Sequence, residues 1–118
     1  MTVTGIGGVF LRCDDPAALS SWYLEHLGVG GEWGLWSQQA GPTVFSPFSR
    51  DDKYFPLDRS VMLNFRVDDL DAIVARLKSS GIEVITKPEW DDPQIGRFAR
   101  IHDPSGNPIE LWQPSSTD

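Results

Sequence analysis

Near the end of the chain, Glu110 and His102 have the side-chain types that acid–base or metal chemistry requires. Glu110 stands among apolar neighbours in Ile109-Glu110-Leu111-Trp112, and a carboxylate on a strand can act as a ligand, as a base or as an outward-facing charge. His102 follows Arg100 by two residues in a strand-like run, and a histidine with an ordinary pKa of about 6.5 suits proton transfer. Side chains two apart share one face of a strand. We therefore expect His102 and Arg100 on the same face.

Both residues also have structural interpretations. Glu110 can form an ion pair with Arg100 or Arg66, and His102 can support the adjacent turn by hydrogen bonding near Asp103. The sequence leaves these alternatives open.

A turn separates the two strand-like runs. Asp103-Pro104-Ser105-Gly106-Asn107 is dense in turn-forming residues, because proline fixes φ while glycine and asparagine tolerate positive φ. The pattern predicts a strand over 97–102, a turn, and a second strand over 109–112. The predicted strands bring Phe98, Arg100, His102, Glu110 and Trp112 to one face.

Two helices are predicted, over residues 15–28 and 68–81. Each begins at an aspartate, carries apolar residues at helical spacing and ends at a glycine. They begin 53 residues apart, and each follows a strand-like run, which indicates an internal repeat. We predict one α+β domain over 1–118, with a first module over about 5–49, a charged connector over 50–59 and a second module over about 60–113. Further strands are predicted over 5–13, 32–37, 43–48, 61–67 and 83–86.

The predicted strands have one uniformly apolar side and one mixed side. The apolar side should pack on the helices, which leaves the mixed side facing a cavity or solvent. Clefts for small organic ligands are mostly apolar with a few polar groups, although the same rings can fill a cleft or a dimer interface. The candidate ligand-binding residues are Phe10, Phe45, Met62, Asn64, Phe98, Arg100, His102, Glu110 and Trp112.

Composition excludes some classes of protein. A formal net charge of −7 argues against nucleic-acid binding and is compatible with a cationic ligand. No apolar run approaches the ~20 residues of a membrane span, and the N-terminus lacks the pattern of a signal peptide. With a single cysteine, we expect a cytoplasmic protein. The sequence contains no Ser-His-Asp order, phosphate loop, zinc-type cysteine cluster or dinucleotide fingerprint.

Three motifs resemble those of the vicinal oxygen chelate superfamily, which includes glyoxalases, extradiol dioxygenases and bleomycin-resistance proteins. They are the first helix with Trp22-Tyr23 and Leu27-Gly28, the segment from Phe65 to Val84, and the closing turn and strand from Asp103 to Trp112. The resemblance covers about residues 5–114. It implies paired βαβββ modules whose sheets curl around a cleft, usually completed by dimerisation.

The resemblance also implies four metal-ligand positions, usually His, Glu or Gln. In this sequence they fall at Gly8, near Phe45, at Met62 and at Glu110. Glycine and phenylalanine offer no donor, a thioether is a poor ligand for hard or borderline ions, and one carboxylate cannot hold a catalytic ion. We therefore expect no metal and no cofactor.

The leading hypothesis is a metal-free homodimer that binds a small aromatic or cationic compound in its cleft. The alternative is a lyase, isomerase or dioxygenase with a displaced site built from Glu110 and His102. A third possibility is a structural or regulatory dimer whose cleft is filled by its own aromatic side chains.

Overall fold

Both predicted helices form, and each begins at a capping aspartate. In the computed structural model, which describes residues 2–116, α1 spans Pro16–Leu27 and α2 spans Leu70–Ser79. Asp15 accepts a hydrogen bond from the Ala18 amide at 3.1 Å, and Gly28 ends α1 in the left-handed region with φ 66°. The second cap is Asp69, one residue later than predicted. Neither helix is long and apolar enough to cross a membrane within residues 2–116.

Three strands form one mixed sheet. They are β1 (Leu63–Arg66), β2 (Gly96–His102) and β3 (Pro108–Pro114), in the order β1-β3-β2. The central strand β3 runs parallel to β1 and antiparallel to β2. The predicted strands over 61–67, 97–102 and 109–112 are thus confirmed to within a few residues.

The core lies between the helices and the apolar face of this sheet. Ala99, Ile101, Ile109 and Leu111 have no exposed surface, as expected for strand residues that alternate towards the helices. The helices complete the cluster with Leu19, Tyr23, Leu70 and Leu77. The predicted assignment of the two faces is therefore correct for the second half of the chain.

The strands predicted in the first half do not form. Residues 5–13, 32–37 and 43–48 contain no strand, and Glu32–Gly34 is a short 3-10 turn instead. A strand needs a hydrogen-bonded neighbour as well as an alternating pattern, and none of these segments pairs with β1, β2 or β3. Residues 83–86 contribute only a bridge between Ile85 and Arg100. The described fold is therefore α+β with an open sheet, and the paired modules stay a prediction.

The turn between β2 and β3 forms as predicted and is organised by Asp103. Its carboxylate, 4% exposed, accepts hydrogen bonds from the amides of Ser105 and Asn107, each at 2.9 Å. It also accepts from the Asn107 side chain at 2.9 Å and from the Tyr23 hydroxyl at 2.7 Å. One carboxylate thus closes the turn and joins it to α1.

Candidate functional site

The face of the sheet opposite the core carries the polar and aromatic residues that the alternation predicts. The strand register aligns them in two adjacent rows, and opposed residues point to the same side. The first row holds Asn64, Glu110 and Arg100, and the second holds Arg66, Trp112 and Phe98.

Glu110 is a buried carboxylate held by neutral donors. It is 8% exposed, and its Oε1 accepts a hydrogen bond from Asn64 Nδ2 at 2.7 Å. Its Oε2 accepts a hydrogen bond from the Tyr54 hydroxyl. Within residues 2–116, the ion pair considered with Arg100 or Arg66 does not form within 4.0 Å. Neutral groups therefore compensate both oxygens of Glu110.

Arg100 is buried against two aromatic rings. It is 5% exposed, and its guanidinium lies 5.0 Å from the Tyr54 ring centroid and 5.2 Å from that of Trp90. Its Nη2 donates to the Tyr54 carbonyl at 3.0 Å. Its Nε is buried and has no hydrogen-bond partner among the described residues. The cation is thus stabilised by two rings, by one carbonyl and by its interaction with the Tyr54 hydroxyl.

Tyr54 is a residue of this cluster that sequence reasoning missed. It lies in the connector interpreted only as charged, yet it contacts both Glu110 and Arg100, and its ring packs 5.9 Å from Trp90. The one signal for it was the aromatic pair Tyr54-Phe55 inside a charged stretch. The contact of Trp90 with Arg100 likewise depends on the fold.

The remaining candidate residues separate into those that join this cluster and those that do not. Phe98 and Trp112 stack with centroids 6.3 Å apart. His102 is exposed at the end of β2, opposite Pro108, and does not hydrogen-bond to Glu110. Met62 is half-buried just before β1. Phe10 and Phe45 are 96% and 86% exposed, in segments outside the sheet. The structure thus joins Asn64, Phe98, Arg100, Glu110 and Trp112.

Grooves of about 470 and 200 Å³ are among those on the described chain. The larger lies between α2 and β2, where Arg97 pairs with Asp71 at 2.8 Å. Neither groove is lined by Glu110 or Arg100. Tyr54 and Trp90 instead cover the predicted binding face.

Both tyrosines of the chain should titrate abnormally. Burial, reinforced by the hydrogen bond to Glu110, raises the pKa of Tyr54 to about 12. Burial and the hydrogen bond to Asp103 also raise the pKa of Tyr23. Because folding favours the neutral phenol, the contribution of Tyr54 to stability is complete below pH about 10 and is lost as the pH rises through about 12.

We therefore expect little phenolate absorbance from the native protein near pH 10, and an ordinary midpoint of about 10 in urea. In Tyr23→Phe, Tyr54 is the one tyrosine left, so the titration reports its raised pKa. In Tyr54→Phe, that titration is absent. A native Tyr23→Phe protein that titrates at about pH 10 would contradict the buried Tyr54–Glu110 contact.

The donor set does not fit the divalent ion that the resemblance implies. Within residues 2–116, no group of three or more His, Cys, Asp or Glu side chains could hold a metal. Gly8, Phe45 and Met62 occupy the other three implied positions, and Glu110 already accepts from Tyr54 and Asn64. A stable site needs about three protein donors or more.

Comparisons with known proteins concern the family and the fold of this chain. A family model described as "Glyoxalase-like domain" matches residues 8–112. The solved structure of TnmS3, an antibiotic binding protein from Streptomyces sp. CB03234, is similar over 98% of this chain and 99% of its own, with 27% identity and a TM-score of 0.60. A glyoxalase/bleomycin resistance protein from the same organism is 41% identical over 46% of each chain, with a TM-score of 0.35.

Two curated relatives match a shorter stretch. They carry the name "Putative glyoxylase CFP32", from Mycobacterium bovis and Mycobacterium tuberculosis, and each is 41% identical over 51 residues. That stretch is 43% of this chain and 19% of each relative. The chain thus spans about a fifth of the length of the curated relatives it matches.

Proposed function

Since this chain belongs to the glyoxalase-like domain family, we propose that it is a metal-free protein that binds a small aromatic or cationic compound in a cleft. The observation that carries the proposal is the cluster around Glu110 and Arg100, in which buried polar groups lie among aromatic rings. That combination is typical of sites for small organic molecules. The full-length similarity to TnmS3, an antibiotic binding protein, supports the same function.

The metal-free part of the proposal rests on Glu110. Its oxygens accept hydrogen bonds from Tyr54 and Asn64, and these donors take the place that a cation would occupy. The alternative of a lyase, isomerase or dioxygenase gains no support, because exposed His102 and Glu110 do not form an acid–base pair. The proposal also places the protein in the cytoplasm, supported by its single cysteine.

Calorimetry tests the proposed function in two steps. Metal-free bleomycin and a neutral polycyclic aromatic serve as probes, and we expect saturable binding of at least one, with one site per chain. Ni²⁺, Zn²⁺, Mn²⁺ and Fe²⁺ are titrated separately, with Glu110→Ala as the site variant and exposed Glu83→Ala as its control. Failure of both organic probes to bind would count against ligand binding. Stoichiometric metal binding that disappears only in Glu110→Ala would overturn the metal-free state.

We further propose that the cleft is completed in a homodimer. The first half of the chain exposes large apolar side chains, several of them by more than 70%, and contiguous exposed apolar surface is typical of interfaces. Pairing of 5–13, 32–37 and 43–48 with a second copy would supply the missing strand neighbours and produce the paired βαβββ modules. The exposed residues are Val3, Phe10, Trp33, Leu35, Val44 and Phe45.

Sedimentation equilibrium is expected to give twice the 13.2 kDa mass of one chain. Phe45→Asp should shift the population towards monomer, because it places a charge in the proposed apolar interface. Leu24→Asp is the matched control, since Leu24 is 53% exposed but lies on α1, away from these segments. A wild-type protein that is monomeric at micromolar concentration would contradict the dimer.

A further inference from the structure

Arg100 is a buried cation without a buried anionic partner. No carboxylate oxygen lies within 4.0 Å of it among residues 2–116. Glu110 is directly opposite on β3, but its oxygens accept from Tyr54 and Asn64. A buried charge is costly unless it is paired and hydrogen-bonded. The position of Arg100 therefore needs a compensating group.

The contacts of Arg100 supply only part of that compensation. The rings of Tyr54 and Trp90 offer cation–π attraction at 5.0 and 5.2 Å, and the Tyr54 carbonyl accepts one hydrogen bond. The Tyr54 hydroxyl also interacts with the guanidinium and donates to Glu110. The Nε–H is left buried without an acceptor among the described residues. Such groups are rare in folded proteins, because an unpaired buried donor loses its hydration without replacement. Arg100 therefore requires an additional anion or a strong hydrogen-bond acceptor at its Nε–H.

The groups that cover Arg100 belong to segments outside the sheet. Tyr54 lies in the connector 50–59, and Trp90 ends the 3-10 turn Pro88–Trp90. Their rings can separate without breaking the hydrogen bonds between β2 and β3. A flat ligand that enters between them would keep aromatic contact while bringing an oxygen to Arg100.

We propose that Arg100 is the anion-recognition residue of the binding face, and that the ligand is a planar aromatic compound bearing a carboxylate or an acidic phenolic oxygen. This inference rests on the proposed function and narrows its ligand class. The ligand oxygen accepts from the Nε–H of Arg100, and the aromatic body stacks against Tyr54 or Trp90. Glu110 is a weaker site for a cationic ligand, because both of its carboxylate oxygens already accept hydrogen bonds. The net charge of −7 does not reverse this preference, because salt screens distant charges more than buried contacts.

Three naphthalene probes of different charge test the inference by calorimetry. They are 2-naphthoate, 2-naphthylmethanol and 2-naphthylmethylammonium. We expect the carboxylate to bind about tenfold or more tightly than the alcohol, and the ammonium to bind most weakly. Arg100→Gln should lower the affinity for 2-naphthoate to that for 2-naphthylmethanol. Arg100→Lys should retain part of the preference for the carboxylate. Arg97→Gln removes the same charge from an exposed position on the same strand and should leave the preference intact.

The outcomes distinguish this inference from the function on which it rests. Equal binding of the three probes, or a preference for the ammonium, would overturn the role of Arg100 while leaving aromatic binding in place. An unchanged preference in a folded Arg100→Gln protein, checked by circular dichroism, would also overturn it. Absence of binding by all three would contradict the proposed function and, with it, the inference.

Discussion

Replacing Asp103 by alanine is expected to lower the free energy of unfolding by about 3–5 kcal/mol. The carboxylate is 4% exposed and accepts hydrogen bonds from two turn amides, the Asn107 side chain and the Tyr23 hydroxyl. Alanine leaves these donors without that acceptor. It also removes the hydrogen bond that joins the turn to α1, between residues 80 positions apart in the sequence.

Urea unfolding followed by tryptophan fluorescence measures this loss. Asp68→Ala is the matched control, since Asp68 is exposed and precedes the cap of α2; its cost should stay below about 0.5 kcal/mol. Tyr23→Phe removes only the link to α1 and should cost about 1–3 kcal/mol. An Asp103→Ala protein as stable as Asp68→Ala would show that the turn does not depend on this carboxylate.

Replacing Glu110 by alanine is the second large change, with an expected loss of about 2–4 kcal/mol. The variant leaves the Tyr54 hydroxyl and the Asn64 amide without their acceptor and keeps Arg100 as a buried cation. Because Tyr54 attaches the connector to the sheet, the variant should also open residues 50–59 locally. Trypsin should then cleave faster after Arg50, Lys53 and Arg59.

Limited proteolysis with mass spectrometry separates local opening from global unfolding. Tyr54→Phe removes one hydrogen bond to Glu110 and should give an intermediate cleavage rate, whereas exposed Glu83→Ala should match the wild type. Equal cleavage of the connector in Glu110→Ala and Glu83→Ala would mean that the Tyr54–Glu110 contact does not hold the connector in place.

Local signals predicted the helices, the closing turn and the faces of the second-half strands. Capping aspartates and closing glycines act within a few residues of the chain, and side-chain alternation is a property of one strand. These signals were sufficient to put Asn64, Arg100 and Glu110 on one face. The resemblance to the vicinal oxygen chelate superfamily, drawn from the same motifs, is confirmed by the family match over residues 8–112.

The strands predicted in the first half failed for a different reason. These segments do alternate, but a strand is stabilised by hydrogen bonds to a neighbouring strand. The residue pattern of one segment does not identify that neighbour. The partners of Glu110 were also beyond sequence reasoning. Tyr54 is 56 residues from Glu110 along the chain, and only the path of the connector brings them together.

From the sequence alone, Glu110 and Arg100 are expected on one face of the sheet, because side chains alternate along each strand. Their opposed positions on β3 and β2 come from the strand pairing in the structure. The tertiary structure sets the electrostatic environment of these two side chains. It surrounds Glu110 with neutral donors and Arg100 with rings, so the two charges do not pair within 4.0 Å. The physical reason is that burial and long-range contacts set the electrostatic environment of a side chain, and neither can be read from residue types and spacing.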